Sequence, residues 1–154
     1  MTLTPAAGEW KGGVFRFPIR VFYEDTDIGG MTYHARYVSF FERTRSESIR
    51  GTAADVDALF AIPAEMGGPF IYVVRSVNIT YHRQSTVGDV LIGHCQVIRV
   101  RAAAVEIKQW ITLESGELVA EGHVSVAIVG KDGRPKRWPA ATRATWENWL
   151  RLAD

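Results

Sequence analysis

The sequence lacks the features of a secreted or membrane protein. Its 154 residues include one cysteine, Cys95, so no disulfide forms within the chain, and a single thiol fits a reducing compartment. No apolar run reaches the roughly 18 residues of a membrane span. Residues 1–13 contain no apolar core of a signal peptide. We therefore expect a cytoplasmic protein with no membrane span.

An excess of one charge is also absent. The 18 basic and 17 acidic residues give a net charge of +1, whereas nucleic-acid-binding domains usually carry a basic excess or a basic stripe. The arginines between positions 43 and 50 are interleaved with Glu47, which is typical of a solvated helix face. We therefore expect no nucleic-acid partner.

What the chain has is clear periodicity, which predicts its helices and strands. The predicted helices are 34–50 and Ala140–Leu152, and the predicted strands are 15–23, 70–82, 89–101, 103–113 and 118–129. Pro18 places the first strand at an edge or a bulge of the sheet. Short connections between the last four strands indicate antiparallel hairpins.

This order of elements predicts the fold class and the domain organisation. One long helix and one antiparallel sheet with a single apolar face make a two-layer α+β domain. Residues 1–13 are interpreted as a flexible N-terminal tail and residues 14–154 as one domain. Residues 52–69 are a predicted linker that holds a short helix near 55–60.

The stretch "EDTDIGGMTYH", residues 24–34, stands directly before the long helix. Its acids and glycines suit a loop that enters a helix. They also suit a hydrolytic site, because the first amides of a helix polarise a carbonyl and a nearby carboxylate serves as general base or nucleophile. Gly29 and Gly30 would let a ligand approach the backbone closely. These patterns leave Asp25 and Asp27 as equal candidates.

Further residues are candidates for substrate contact or for metal binding. Arg75 interrupts an apolar row, and Arg99 and Arg101 end a strand near the predicted site, so each either binds phosphate or has an ordinary surface role. His94 and Cys95 are adjacent in a strand and point to opposite faces, which excludes a dyad. His82 and His123 show no metal-ligand spacing with any acid or cysteine, and no metal is expected.

The stretch "RVFYEDTDIGGMTYHARYVSFFERTR" resembles the signature of 4-hydroxybenzoyl-CoA-thioesterase-like proteins, in particular their YbgC-like branch. That signature is Tyr-x-Asp-Thr-Asp-x-Gly-Gly-x-x-Tyr-His-x-x-Tyr, followed by a helix with Phe-x-Glu-x-x-Arg. The matching residues are Tyr23, Asp25, Thr26, Asp27, Gly29, Gly30, Tyr33, His34, Tyr37, Phe41 or Phe40, Glu42 and Arg45. The strand order fits the family to about residue 138.

The resemblance implies a hot-dog fold, in which the sheet wraps around one long central helix. It implies hydrolysis of acyl-CoA thioesters by a homodimer or homotetramer with sites between subunits, and no cofactor beyond the CoA of the substrate. Asp27 is then the catalytic carboxylate, flanked by Tyr23 and His34, with the His34 amide as oxyanion donor. Gly29, Gly30 and Tyr33 are the expected substrate-binding residues of the motif, together with the three arginines.

Two other functions stay open at this point. A thioesterase that acts on acyl carrier protein would use surface arginines such as Arg43, Arg50 or Arg99 to meet an acidic partner. A non-catalytic acyl-binding scaffold would keep the fold without hydrolysis. The family often has a serine or threonine at the turn after the predicted strand 89–101, where this chain has Arg101-Ala102-Ala103-Ala104. The resemblance therefore does not set the acyl preference.

Overall fold

The computed structural model describes residue 3, residues 5–50 and residues 70–153. The predicted linker 52–69 and its short helix lie outside the described residues. The elements are β1 (Glu9–Lys11), β2 (Val14–Arg20), a 3-10 turn (Tyr23–Asp25), α1 (Arg36–Ile49), β3 (Ile71–Tyr81), β4 (Val90–Val100), β5 (Ala104–Leu113), β6 (Leu118–Val129) and α2 (Ala140–Leu152). Each predicted strand and helix within the described residues is present, with ends shifted by up to three residues.

One antiparallel sheet forms the frame of the molecule. Its strands follow the order β1-β2-β4-β5-β6-β3, and every neighbouring pair is antiparallel. Helix α1 packs on one face of this sheet through Phe40 and Phe41, whose side chains are completely buried. Gly93 in β4 permits this packing, because a Cβ there would lie 2.1 Å from the Thr44 hydroxyl oxygen. The predicted α+β arrangement of one long helix against one antiparallel sheet is therefore present.

Part of the predicted N-terminal tail belongs to the sheet. Residues 9–11, assigned to a tail from the sequence, form β1 and pair with Val14–Arg16 of β2. Gly12 and Gly13 make the turn between them with φ of 55° and 73°, a conformation that favours glycine. A three-residue strand is too short to show periodicity. Because β1 ends its pairing at Arg16, Pro18 lies on an open edge of the sheet, as predicted.

Helix α2 closes the other part of the core. Trp146 and Trp149 are buried, and the Trp149 ring lies 4.2 Å from the ring of Trp10, between centroids. These tryptophans join the C-terminal helix to β1 and to the core beneath α1. No helix in the described part of the chain is long and apolar enough to cross a membrane.

Strand β3 is an edge of the sheet and pairs only with β6 among the described strands. A bulge at Arg75 separates its two halves, because the register shifts between Val74 and Ser76. Several large apolar side chains of β3 are exposed: Ile71, Val73, Val74, Val77 and Tyr81. An edge strand with such a surface is a template for pairing with another chain.

Candidate active site

Asp25 is a structural carboxylate that connects the loop to the start of α1. Its side chain is completely buried and receives 2.8 Å hydrogen bonds from the Phe22 amide and from Nε of Arg36. Nη2 of Arg36 lies 2.6 Å from the same carboxylate. The backbone carbonyl of Asp25 also accepts from the Tyr33 amide at 2.8 Å. These bonds leave Asp25 no access to a substrate.

Asp27 lies in the exposed part of the same loop. Its Oδ1 accepts hydrogen bonds from the Gly29 amide at 2.8 Å and from the Met31 amide at 3.3 Å. Within the described part of the chain, its Oδ2 takes part in no hydrogen bond. Gly30 has a φ of 78°, and a Cβ at Gly29 would lie 3.2 Å from Oδ1 of Asp27. The glycines thus fold the loop around a carboxylate that keeps one free oxygen.

The amides of His34 and Ala35 are the free donors at the entrance of α1. The helix begins at Arg36, two residues later than predicted, with Ala35 as its N-terminal cap. The Arg36 amide bonds to the Tyr33 carbonyl at 2.8 Å, whereas the amides of His34 and Ala35 have no acceptor among the described residues. Unpaired amides at a helix start carry a partial positive charge and suit an oxyanion.

Tyr81, at the end of β3, holds this entrance in place, and the sequence analysis did not select it. Its hydroxyl donates a 2.8 Å hydrogen bond to the His34 carbonyl. That carbonyl and the Ala35 N–H belong to one planar peptide group and point in opposite directions. Tyr81 therefore fixes the direction in which the Ala35 amide points. A tyrosine at the end of a strand gives no local sequence signal for such a role.

A buried hydroxyl cluster anchors the loop to the segment between β3 and β4. The Ser85 hydroxyl lies 2.6 Å from the Thr32 hydroxyl and 2.8 Å from the Tyr37 hydroxyl. Thr86 adds a 2.9 Å bond from its hydroxyl to the Gly30 carbonyl. Burial raises the pKa of Tyr37, so its hydroxyl stays neutral and hydrogen-bonded. Sequence patterns missed this cluster, because Ser85 is 53 residues from Thr32 and 48 residues from Tyr37.

The aromatic residues expected at the site occupy different surroundings. The rings of Tyr33 and His34 meet edge to face at 4.5 Å, and the His34 ring lies 6.4 Å from that of Tyr81. All three side chains are exposed, so they line the open side of the helix entrance. Tyr23 is 85% exposed, and its side chain forms no hydrogen bond or ring contact with Asp27 or His34 among the described residues. The chain therefore brings Tyr33 and His34 together and leaves Tyr23 apart.

The candidate arginines lie far from the Asp27 loop of their own chain. Arg75 and Arg101 line one polar hollow of about 340 Å³ together with Ser76, Glu106 and Ser125. Arg101 follows the last residue of β4, whereas the Asp27 loop lies near the first residue of this strand. At about 3.3 Å per residue, the strand separates Arg101 from the loop by about 30 Å. Arg99 is exposed at a bulge beside this end. The expected position of Arg99 and Arg101 near the site mouth is thus not found within one chain.

His94 and Cys95 lie on opposite faces of β4, as their adjacency predicts. Cys95 is buried in the core, where burial raises the pKa of its thiol to about 12. His94 stacks on Trp110 on the other face, with centroids 4.8 Å apart and planes 5° apart. The pair does not form a Cys–His dyad.

The fold and the Asp27 loop together place the protein in a known structural class. An antiparallel sheet carries one long helix, and a glycine-rich loop presents a carboxylate ahead of the helix entrance. Residues 21–146 match the model of the thioesterase-like superfamily. The chain belongs to this superfamily, and the sequence-based assignment to it, with a hot-dog fold, is confirmed.

Named relatives agree with this assignment. The acyl-CoA thioesterase YbgC of Haemophilus influenzae is 32% identical over 87% of this chain and 95% of its own length. The acyl-CoA thioester hydrolase YbgC of Escherichia coli O6:H1 is 34% identical over 75% of this chain and 82% of its own length. The crystal structure of a probable thioesterase from Bartonella henselae is 33% identical and covers 80% of this chain and 98% of its own, with a TM-score of 0.73.

Proposed function

We propose that this protein hydrolyses acyl-CoA thioesters to the free acid and CoA, with short-chain or aromatic acyl groups as the substrate class. One observation carries the proposal: the loop combines an exposed carboxylate at Asp27 with the acceptor-free amides of His34 and Ala35. Both groups that a thioester hydrolase needs therefore come from one loop. The sequence similarity to acyl-CoA thioesterases supports the choice of substrate.

In the proposed reaction, the thioester carbonyl oxygen accepts hydrogen bonds from the amides of His34 and Ala35. These donors stabilise the negative charge that develops when the carbonyl carbon is attacked. Asp27 either removes a proton from the attacking water or attacks the carbon itself. The carbon–sulfur bond then breaks. In the first route the CoA sulfur leaves with the proton that Asp27 took from the water; in the second it leaves as a thiolate that takes a proton from solvent, and water hydrolyses the Asp27–acyl anhydride to the free acid and restores the carboxylate. The hydrogen bond from the Tyr81 hydroxyl to the His34 carbonyl fixes this peptide group, so that the Ala35 amide stays directed at the position of the thioester oxygen.

The substrate site we propose lies between two copies of the chain. If the β3 edges of two copies pair antiparallel, Arg75 in the middle of β3 comes close to the partner's strand. The hollow that holds Arg75 and Arg101 then faces the same interface as the loop of the other copy. Guanidinium groups suit phosphate, so we assign these arginines to the CoA phosphates. Tyr33 and the His34 side chain would contact the acyl group or position Asp27.

A release assay tests this proposal against its rivals. Free thiol is measured with a panel of acyl- and aroyl-CoA substrates and with the same acyl groups on acyl carrier protein. Rapid release from the CoA thioesters, lost in Asp27→Asn, is the expected result. Faster release from the carrier protein would favour the carrier-protein thioesterase. Binding of the acyl-CoA without any release would favour the non-catalytic scaffold.

We also propose that the reaction requires no metal or other cofactor and takes place in the cytoplasm. The base and the oxyanion donors proposed above are groups of the chain itself. The expected rate is therefore the same before and after treatment with EDTA. A loss of rate that a divalent ion restores would contradict this part of the proposal. The single cysteine, Cys95, fits a reducing compartment.

A further inference from the structure

The Asp27 loop is held from outside by Thr86, which lies in the segment between β3 and β4. The Thr86 hydroxyl donates a 2.9 Å hydrogen bond to the Gly30 carbonyl, across 56 residues of sequence. The backbones of Met31 and Thr86 also meet in an isolated antiparallel bridge. The turn of the loop is already closed by the 3.0 Å hydrogen bond from the Gly30 amide to the Asp27 carbonyl. The Thr86 contact therefore adds a constraint beyond the turn itself.

This contact reaches Asp27 through a single peptide group. The Gly30 carbonyl and the Met31 N–H belong to one planar peptide and point in opposite directions. The Met31 N–H donates to Oδ1 of Asp27 at 3.3 Å, so the Thr86 hydroxyl and the Asp27 carboxylate bind opposite sides of the same peptide. A hydrogen bond to the carbonyl on one side fixes the direction of the N–H on the other.

The orientation of the Asp27 carboxylate depends on this N–H. Rotation of a carboxylate about its Cβ–Cγ bond is only weakly restricted by the side chain itself. Oδ1 accepts from the Gly29 amide at 2.8 Å and from the Met31 amide at 3.3 Å, and within the described residues no cation forms an ion pair with Asp27. With the Gly29 amide alone, the carboxylate would turn about one hydrogen bond. The second donor therefore determines where Oδ2 points.

Thr86 is itself held in place by its neighbours in the sequence. Its amide donates to Oδ2 of Asp89 at 2.9 Å, and its carbonyl accepts from the Asp89 amide at 3.2 Å. Gly88 permits this turn with a φ of 90°, a conformation that favours glycine. On the other side, Ser85 is buried in the hydroxyl cluster. Thr86 therefore presents its hydroxyl from a fixed backbone, although its side chain is exposed.

We propose that Thr86 is a positioning residue for Asp27. Its hydroxyl holds the peptide between Gly30 and Met31, so that the Met31 amide stays on Oδ1 of Asp27 and Oδ2 stays directed at the substrate. The inference rests on the proposed function, because it names the group that orients the proposed carboxylate. Thr86 touches neither the substrate nor the carboxylate and acts through the loop.

The same segment of the chain then orients both halves of the proposed site. Tyr81 holds the peptide of His34 and Ala35 through the His34 carbonyl, and Thr86 holds the loop peptide in the same way. One hydroxyl fixes an oxyanion donor and the other fixes the carboxylate. The distance between the two reacting groups is therefore set by the end of β3 and the turn that follows it.

Steady-state kinetics on one acyl-CoA test the effect on the reaction. Thr86→Val removes the hydroxyl and keeps the shape, and Thr86→Ser keeps the hydroxyl. Thr145→Val is the control on α2, because the Thr145 hydroxyl also donates to a backbone carbonyl, that of Ala141 at 3.1 Å. We expect kcat to fall by about three- to tenfold in Thr86→Val, the size of one neutral hydrogen bond, with KM unchanged. Thr86→Ser should keep most of the wild-type kcat and Thr145→Val all of it.

Three kinetic results would overturn the proposal. The first is an unchanged kcat in Thr86→Val. The second is a loss in Thr86→Ser as large as in Thr86→Val, because the hydroxyl is then not the cause. The third is a rise in KM at constant kcat, which would make Thr86 a binding residue. If Thr86→Val does not fold, Thr86→Ala removes the same hydroxyl and gives the same comparison.

Amide hydrogen exchange, measured by NMR on the full chain at one pH, tests the contact without any substrate. We expect the Met31 amide to exchange about threefold or more faster in Thr86→Val than in wild type. The Gly29 amide donates to the same oxygen but belongs to another peptide, so its exchange should stay unchanged. Equal exchange of Met31 in both proteins would overturn the proposal. Equal acceleration at Gly29 and Met31 would also overturn it, because the whole loop would then have loosened.

The two experiments separate this inference from the proposed function. A wild-type protein that releases no thiol from any acyl-CoA would contradict the proposed function. The exchange rate of the Met31 amide would still show whether the Thr86 hydroxyl holds the peptide that binds Asp27. Faster exchange at Met31 together with an unchanged kcat in Thr86→Val would overturn the positioning role while leaving the proposed hydrolysis intact.

Discussion

Asp25 and Asp27 are two positions apart in one loop, yet the chain gives them opposite surroundings. Asp25 is buried and bonded to Arg36 and to the Phe22 amide. Asp27 is exposed, and one of its oxygens is held by loop amides while the other is free. A buried, paired carboxylate stabilises a structure, whereas an exposed one with a free oxygen is available for chemistry.

Replacing Asp27 by asparagine tests its chemical role. The amide keeps the shape of the side chain but neither takes a proton nor attacks a carbonyl. We expect kcat to fall by about 10²–10⁴, the typical cost of a lost general base, with little change in KM. The melting temperature should stay close to that of the wild type. Steady-state kinetics on one good acyl-CoA measure the effect. Full activity of the variant would mean that the loop acids only form the entrance of α1 and have no chemical role.

Asp25→Asn is the matched variant, and it should lose stability more than activity. It removes the charge opposite Arg36, and hydrogen bonds to charged groups contribute about 1.5–3 kcal/mol each. We therefore expect a lower free energy of unfolding in urea and a smaller loss of kcat than in Asp27→Asn, measured where both variants are folded. Equal loss of kcat at equal stability would leave Asp27 without a special role.

At the scale of the elements, β3 orients the entrance of α1 through Tyr81. Tyr81→Phe removes the hydroxyl that donates to the His34 carbonyl and frees the peptide that carries the Ala35 amide. We expect kcat to fall by about tenfold, less than the 10²–10³ that losing a whole oxyanion donor costs. KM and the melting temperature should change little, because Tyr81 is exposed and acts through the peptide. A rise in KM at constant kcat would instead make Tyr81 a binding residue.

His94, which stacks on Trp110 on the outer face of β4 and β5, should make the free energy of unfolding depend on pH. Burial lowers the pKa of His94 in the folded protein below the usual value of about 6.5. The unfolded chain therefore binds this proton more readily, and the free energy of unfolding should fall as the pH drops below about 6.5. Urea unfolding at about pH 7.5 and about pH 5.5 measures the loss. His94→Phe keeps a ring on Trp110 and should reduce this dependence, whereas an unchanged pH dependence would contradict the assignment.

The elements also show what the sequence was able to predict. Strands β4, β5, β6 and helix α2 follow their periodic patterns closely, because one face of each is buried and the other is not. The start of α1 was predicted two residues early, because the hydrogen bond from Tyr33 to Asp25 depends on tertiary contact rather than on helix propensity. The buried stripe of α1 runs through Phe40, Phe41 and Thr44, whereas Val38, an apolar residue of the same helix, is exposed.

The candidate site also contains residues that the sequence predicted and residues that it did not. The loop motif and its family resemblance predicted Asp27 and His34 as site residues from contiguous sequence. The contacts from Tyr81 and Ser85 come from a distant segment and leave no pattern near the motif. Periodicity also gave no means of separating Asp25 from Asp27, because burial decides between them and burial depends on the whole fold.

At the scale of the whole molecule, the exposed β3 edge predicts assembly. An edge strand with exposed apolar side chains and no second partner among the described strands favours pairing with a second chain, and the shared site proposed above needs such a contact to bring Arg75 and Arg101 to an Asp27 loop. We expect a dimer or tetramer by light scattering. Val77→Asp places a charge on this edge and should give a monomer with little activity. Val87→Asp is the control, because Val87 lies outside the strand and both valines are 39% exposed. This control should keep both the oligomeric mass and the activity of the wild type.

The paired readout makes the outcome decisive. If the site is shared between chains, mass and activity must fall together in Val77→Asp, and activity should return as the protein concentration rises, because mass action restores the dimer. A monomeric Val77→Asp with full activity would show that each chain holds a complete site. The arginines of the hollow would then have no part in substrate binding, and the CoA phosphates would have to meet other groups closer to the Asp27 loop.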